Sequence, residues 1–282
     1  MTLSCFRLSR QRRVFVRPVH GLVAPLLACA IWLANAAIAG SSPDPLALMR
    51  ESDKRHRLAS ERTRLAMVLQ EKGGPERARS LELVVGQELK KKSGDKQWIR
   101  FDAPGDIKGT QLLTVESDDG SAQQWLYLPA FKKSRRVGAA ELGDRFAGTD
   151  FFYEDLKHRV VDDYSYKLLG SESIDGVDCW HIESVPQAPK AKAESPYGKT
   201  EIWLRKDVQY IVRTRYFDRQ AKPLKELRAQ NLVKVAGPVW RADQLTMTDI
   251  QRNHRTVLKV QAREVNVVLP ASTFNPHSLT GS

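Results

Sequence analysis

Cysteine, histidine motifs and long apolar runs are all scarce in this chain, and each shortage removes a class of function. The sequence of 282 residues has three cysteines. Cys5 and Cys29 fall in an N-terminal stretch that reads as a leader, which leaves Cys179 alone and no intramolecular disulfide after processing. Stability in an oxidising compartment must then come from a hydrophobic core. His56, His158, His181, His254 and His277 are scattered without HxH or HExxH spacing, which argues against a zinc site. No GxSxG elbow accompanies the serines. Gly105-Asp106-Ile107-Lys108-Gly109-Thr110 has the composition of a phosphate loop without its spacing, and reads as a turn before a strand. No catalytic residue, metal site or cofactor is expected.

Acidic residues are absent from the first 39 positions, which carry Arg7, Arg10, Arg12, Arg13 and Arg17 ahead of the apolar run Leu22 to Ala39. This is the pattern of a secretory leader, with a small-x-small signal at Ala37-Ile38-Ala39. Cleavage near Ala39 would leave 282 − 39 = 243 residues, 40–282, enough for one all-β domain. Arg12-Arg13-Val14-Phe15-Val16 resembles a twin-arginine signal, and Leu26-Leu27-Ala28-Cys29 loosely resembles a lipoprotein cleavage box. An ordinary cleaved leader is preferred over both, because arginine-rich leaders are common and the apolar run continues past Cys29. The leader holds five of the 45 basic residues, so the remainder has 40 Lys+Arg against 33 Asp+Glu, an excess of +7. In an exported protein that excess suits anionic headgroups at a membrane surface, or simply solvated strand faces, and not nucleic acid.

Asp44-Pro45 predicts a short helix, with Asp as N-cap and Pro at the first helical position. Beyond about residue 58 the period is two. Leu81, Leu83 and Val85 alternate with Glu82 and Val84; Val212, Thr214 and Tyr216 alternate with Arg213 and Arg215; Thr256, Leu258, Val260 and Ala262 alternate with Lys259, Gln261 and Arg263. Turn signals recur at Gly73-Gly74-Pro75, Ser93-Gly94-Asp95, Asp119-Gly120, Asp175-Gly176, Lys206-Asp207 and Gly237-Pro238. Many strands with short turns and no βαβ alternation predict a mainly β protein, a large antiparallel sheet closing toward a barrel. Two segments break the pattern. Residues 187–199 read as a long, mobile surface loop. Pro129 to His158, interrupted by Gly138, Gly143 and Gly148, reads as a functional loop or adjustable lid.

The acids Asp150, Glu154 and Asp155 invite a metal or acid–base reading, but no histidine or further acid has ligand-like spacing nearby. Helix capping and ion pairing are expected instead, with Arg135 and Arg136 as counter-ions. Cys179, between Asp178 and Trp180, reads as a packed side chain. The large side chains Trp98, Phe101, Trp125, Tyr127, Phe151, Phe152, Tyr153, Trp180 and Trp203 either fill the core or line an apolar cavity. A barrel too wide to be filled by its own side chains would leave such a cavity. Lys132, Lys133, Arg135 and Arg136 are candidates to meet an anionic headgroup or the membrane face.

Three blocks carry a family resemblance: WIRFDAPGDIKGT at 98–110; WLYLPA at 125–130 with Arg135-Arg136; and GTDFFYEDL at 148–156. With Leu168-Leu169-Gly170, Ile182 to Pro186 and Tyr216-Phe217-Asp218, the chain resembles the outer-membrane lipoprotein-sorting proteins with a LolA-like fold, the LolA/LolB-like periplasmic carriers. The resemblance spans almost all of the chain after the leader. It implies a half-open β-barrel with an N-terminal helix and a helical or loop lid, and an apolar cavity shielding acyl chains in the Gram-negative periplasm. It also implies a non-catalytic carrier of a lipid or lipidated protein, with transient membrane contact, working beside an RND-type exporter. The lone lid arginine of LolA itself has no matched position. An exporter-docking adaptor without bound lipid is the alternative, and a lipid or glycan hydrolase a third reading.

Overall fold

The computed structural model describes residues 42–87, 94–117 and 121–279. The expected leader, Ser93 and the Asp119-Gly120 turn lie outside the described residues. Residues Ser42–Ser282 form one compact unit.

The unit begins as its capping signal predicts. The Asp44 carboxylate accepts from the amides of Leu46 (3.1 Å) and Ala47 (3.3 Å), and Pro45 opens helix α1, Pro45–Arg55. Pro costs nothing at that position because its missing N–H would have had no partner in the first turn. Lys54 and Arg55 stand at the negative end of the helix dipole. Thirteen strands follow among the described residues. They are β1 Ser60–Glu71, β2 Arg77–Gly86, β3 Lys96–Ala103, β4 Gln111–Glu116, β5 Ala122–Leu128, β6 Lys133–Arg136, β7 Tyr164–Ile174 and β8 Val177–Pro186. After helix α2, Pro189–Glu194, come β9 Tyr197–Arg205, β10 Ile211–Asp218, β11 Pro223–Ala236, β12 Val239–Asp249 and β13 His254–Val265.

All thirteen form one antiparallel sheet in the order β6-β5-β4-β3-β2-β1-β13-β12-β11-β10-β9-β8-β7. Two meanders therefore meet at the centre, where β1 pairs with β13 from Glu61↔Val265 to Glu71↔His254. The sheet curls into a half-open barrel, and its open edges, β6 and β7, are consecutive in sequence. The chain between them, residues 137–163, must travel from one edge of the sheet to the other. It does so across the inner face, in short 3-10 turns.

That crossing supplies part of the main core. Leu142, Phe146 and Tyr153 pack on Leu65, Met67 and Leu69 of β1, Leu81, Phe101, Leu112 and Leu126. Met49 of α1 covers Ile182, Ile202 and Leu204 of β8 and β9. On the outer face, Phe274 and Leu279 of the C-terminal segment cover Leu113, Tyr127, Trp98 and Trp125. This explains why β2 departs from simple alternation: Leu81 and Val84, on opposite faces, are both buried, because each face has a lid of its own chain. The Asp175-Gly176 hairpin has φ of 50° and 80° at its two central residues, the left-handed pair that a tight turn between twisted strands requires.

Two expectations are corrected. Residues 187–199 are not a long mobile loop: they hold α2 and the start of β9, with Ser195 and Tyr197 buried. Tyr197 is drawn in because its hydroxyl finds a buried acceptor, Asp155, at 2.6 Å. The segment Pro129–His158 is not loop throughout, since Lys133–Arg136 adds the edge strand β6 alongside β5.

Candidate functional site

Within the half-barrel, the inner face of β9–β13 is divided into a polar row that fastens the crossing segment and an apolar cavity beside it. The row follows from register. Tyr216, Lys225, Asp249 and His254 are successive cross-strand partners on β10, β11, β12 and β13. Lys225, Asp249 and His254 of the row are each met by a partner from the crossing. Asp155 pairs with Lys225, Arg145 with Asp249, and Asp150 with His254. Asp155 also accepts from Tyr197 Oη and from the Phe152 amide (2.7 Å), the capping role expected of it. Lys225 Nζ donates to the Asp150 carbonyl at 3.2 Å and lies 3.5 Å from the centroid of the Phe152 ring. Thr256 Oγ1 donates to Asp150 Oδ2 at 2.7 Å.

The Lys225 side chain is 0% exposed, and burial lowers its pKa against the raising effect of Asp155. Burial, with the Asp155 charge beside it, holds the Tyr197 phenol far above its ordinary value and therefore neutral. The acids expected to pair with Arg135 and Arg136 thus have other partners, because the fold carries them away from β6. Glu154 pairs with Lys157 at 2.9 Å, while Arg135 takes Glu141 at 2.7 Å. Asp150 and His254 form a buried dyad, but the neighbouring hydroxyl, Thr256, is turned toward the carboxylate and not the imidazole. The chemistry of this row is attachment of a loop. Among the described residues no group of three His, Cys, Asp or Glu side chains is placed to hold a metal.

Next to the row lies a cavity of about 470 Å³, within the size range of small-molecule sites. Its walls include Met49 of α1, Ile202, Ile211, Leu227, Ala229 and Leu245 of the sheet, with Tyr210 and Tyr216. Polar side chains among its lining are Asp53, His56, Arg57, Arg159 and Arg241. Arg57 and Arg241 are committed to carboxylates, to Asp95 and Asp53 and to Glu61 (2.7 Å) respectively. A smaller space of about 150 Å³ lies between α2, the crossing and β8–β9, and shares Arg159 and Tyr216 with the first.

Nine aromatics were expected as core or cavity residues, and none of them lines the larger cavity. Phe101 and Tyr153 are in the main core; Trp98, Trp125 and Tyr127 belong to the outer-face cluster. Phe151 and Phe152 are buried in the crossing, Phe152 stacked on Tyr197 with centroids 6.0 Å apart. Trp180 packs at the edge of the α1 cluster under Lys206. Trp203 is enclosed on the outer face between His181, stacked at 4.4 Å, and Arg213. Lys132, Lys133, Arg135 and Arg136 are exposed on or beside the edge strand β6. The apolar part of the cavity is medium-sized aliphatics and two tyrosines, and as many polar side chains, Ser52, Gln87 and Thr214 among them, complete its lining. Period-two strands place these residues on one face, but nothing local marks which stretch of that face stays uncovered. Cys179 is fully buried, and burial raises its thiol pKa, as a packed side chain requires.

Glu116, at the end of β4, is a buried acid whose protonation is linked to folding. Glu116 Oε2 accepts from the amides of Gly94 and Asp95 at 3.1 Å each, but Oε1 has no partner. Burial pushes its carboxyl above the ordinary 4.5, so the folded protein holds this proton more tightly than the unfolded chain. The associated stability is present below pH 4.5 and is lost as pH rises through the folded-state value. Glu116→Gln is expected to gain stability relative to wild type progressively as pH rises above 4.5 in thermal melts; a pH-independent difference would contradict this.

A family model described as an uncharacterised protein matches residues 93–281. A domain from Vibrio parahaemolyticus described as an outer membrane lipoprotein-sorting protein is 28% identical, with a TM-score of 0.77 over 83% of this chain and 97% of that one. A DUF1329 family protein from Desulfovibrio piger is 26% identical, with a TM-score of 0.77 over 84% of this chain and all of the other. A LolA superfamily protein from Nitrosomonas europaea, at 17% identity, shares the fold, with a TM-score of 0.64 over 83% of this chain and 98% of that one. No curated protein matches. With the match over residues 93–281, the open antiparallel sheet and these neighbours in hand, the chain belongs to that matched family and has a LolA-like fold, which it shares with a domain described as an outer membrane lipoprotein-sorting protein.

Proposed function

We propose that the protein is a non-catalytic periplasmic carrier that shields an acyl chain of a lipid or lipidated protein in the cavity between α1 and the inner face of β9–β12. The single observation that carries this reading is the cavity itself. A sheet this wide is covered at one end by the crossing and at the other by α1, and the space of about 470 Å³ between them has aliphatic walls and a polar margin. Each methylene buried there contributes about 0.8 kcal/mol, so roughly ten methylenes give a gross gain of about 8 kcal/mol before the costs of binding. The fold shared with a domain described as lipoprotein-sorting supports the same assignment. An adaptor whose barrel is filled by its own aromatics is disfavoured, because the aromatics fill the space elsewhere and leave this one open.

Export by the leader at 1–39, with 40–282 as the working unit, and delivery to or from an RND-type exporter belong to this proposal. Native extraction of the protein from the periplasm, followed by mass spectrometry and lipid uptake in vitro, tests it. Co-purifying or exchangeable amphiphile at near one per protein is expected. Protein that emerges empty and takes up no acyl chain would overturn the carrier assignment.

A further inference from the structure

The two cavities meet at Arg159, and its surroundings differ from those of every other arginine at the larger cavity. Arg57 and Arg241 each have carboxylates. Arg159 is held by neutral groups only: Nη2 donates to Ser184 Oγ at 2.6 Å, Nη1 to Thr200 Oγ1 at 3.3 Å, and the guanidinium lies 3.6 Å from the centroid of the Tyr164 ring. Its Nε has no partner, and no carboxylate pairs with it among the described residues. Ser184 and Thr200 are themselves register partners on β8 and β9 and almost fully buried, so the guanidinium is held in one place by the sheet. Four acids line the smaller cavity, Glu154, Asp155, Asp163 and Glu194, and none of them pairs with Arg159: Glu154 and Glu194 take Lys157 and Asp155 takes Lys225, while the Glu154 charge acts on Arg159 only through space.

Around the same guanidinium stand phenols that remain protonated. Burial pushes Tyr164 up to about 12 and raises Tyr166 and Tyr216 as well. Tyr216 shares both cavities with Arg159. The Tyr166 hydroxyl is spent on the Val161 carbonyl at 3.1 Å, so what faces the cavities is a cation fixed by neutral groups and without an ion-pair partner, which is a receptor for an anion. The aliphatic wall of Ile202, Leu227 and Leu245 opens from the same position.

We infer that Arg159 receives the anionic headgroup, a carboxylate or a phosphate, of an amphiphile whose acyl chain occupies the larger cavity. This rests on the carrier assignment above and makes it specific: the cargo is anionic at the end nearest the guanidinium, and the headgroup site is on the crossing segment, not on the basic edge strand β6. Arg159 is then the residue that distinguishes anionic from neutral amphiphiles of equal chain length, because an uncharged headgroup leaves the guanidinium without a counter-ion.

The test is a competition against a fluorescent acyl probe with palmitate, 1-palmitoyl lysophosphatidate, neutral 1-monopalmitin and inorganic phosphate. The two anionic amphiphiles are expected to bind at least tenfold more tightly than monopalmitin, with phosphate alone a far weaker competitor. Arg159→Gln, which keeps a donor for Ser184 and Thr200, should bring the anionic amphiphiles to within about twofold of monopalmitin, and Arg159→Lys should retain part of the preference. Equal binding of anionic and neutral amphiphiles by the wild-type protein would overturn this inference and leave the carrier assignment intact. Phosphate competing as well as lysophosphatidate would overturn it in favour of a free-anion site. Failure of every amphiphile to bind would remove the carrier assignment itself. The wild-type comparison needs no variant to fold.

Discussion

Replacing Asp155 with alanine is expected to destabilise the protein by about 3–5 kcal/mol, the usual cost of breaking a buried ion pair by removing one partner. The reason lies in what would be left behind. Lys225 is 0% exposed, its remaining contacts are the Asp150 carbonyl and aromatic ring faces, and burial already disfavours its charge. Tyr197 Oη would lose its acceptor and Phe152 its amide partner in the same substitution. For a domain whose total stability is about 5–15 kcal/mol, such a loss is a large fraction of the whole. Urea denaturation of the variant measures it. The double replacement Asp155→Ala with Lys225→Met is expected to recover much of the loss, since removing both charges leaves no uncompensated cation in the interior. A single variant within about 1 kcal/mol of wild type would show that the crossing segment is not held by this pair.

The second large effect is on binding. Ala229 lines the cavity and pairs across the sheet with Leu245. A tryptophan at this position projects into the space between α1 and the sheet. If it displaces roughly three methylenes of bound chain at about 0.8 kcal/mol each, affinity falls by about 2.4 kcal/mol, or roughly fiftyfold. Because the ring enters open volume, the unfolding midpoint should change little. Uptake of a fluorescent acyl probe by Ala229→Trp, read beside its urea midpoint, separates the two. Undiminished uptake by a folded variant would place the chain elsewhere. These two substitutions separate the two parts of the inner face, the polar row that fastens the crossing and the cavity proposed for the cargo.

The fastened crossing also alters how opening can occur. The glycines Gly138, Gly143 and Gly148 interrupt strand formation, yet the crossing is tied to the sheet by Arg145, Asp150 and Asp155, and Thr114 Oγ1 donates to the Leu156 carbonyl at 3.2 Å. The helix α1 packs on β8 and β9 through Met49 alone among its fully buried apolar residues. Entry of a chain beside α1 therefore disturbs fewer buried polar contacts than lifting the crossing would.

Local physics made much of this molecule legible from its residues. Asp44-Pro45 reads as a helix start because capping and proline geometry act within one turn. Alternation in 212–216 and 256–262 reads as strand because side chains on a pleated backbone point to opposite faces in turn. The absence of paired cysteines and of metal or nucleophile motifs directed attention to an apolar site. The blocks at 98–110, 125–130 and 148–156 carried the resemblance to a LolA-like fold, and they lie on β3, β5 and the crossing. Residues 187–199 misled because their Pro, Ala and Lys content is that of a loop, whereas Tyr197 is held by Asp155, 42 positions earlier in the chain.

What the sequence alone determined is the antiparallel β class, the helix start and the Asp175-Gly176 turn, all consequences of interactions between residues a few positions apart. Only the tertiary structure decided that Asp150, Asp155 and Arg145 answer His254, Lys225 and Asp249, that the large aromatics close the core, and that medium-sized aliphatics bound the cavity. Those outcomes depend on which strands meet in register and on which part of a sheet face its own chain leaves uncovered, and a sheet pairing β1 with β13 sets both across nearly two hundred residues.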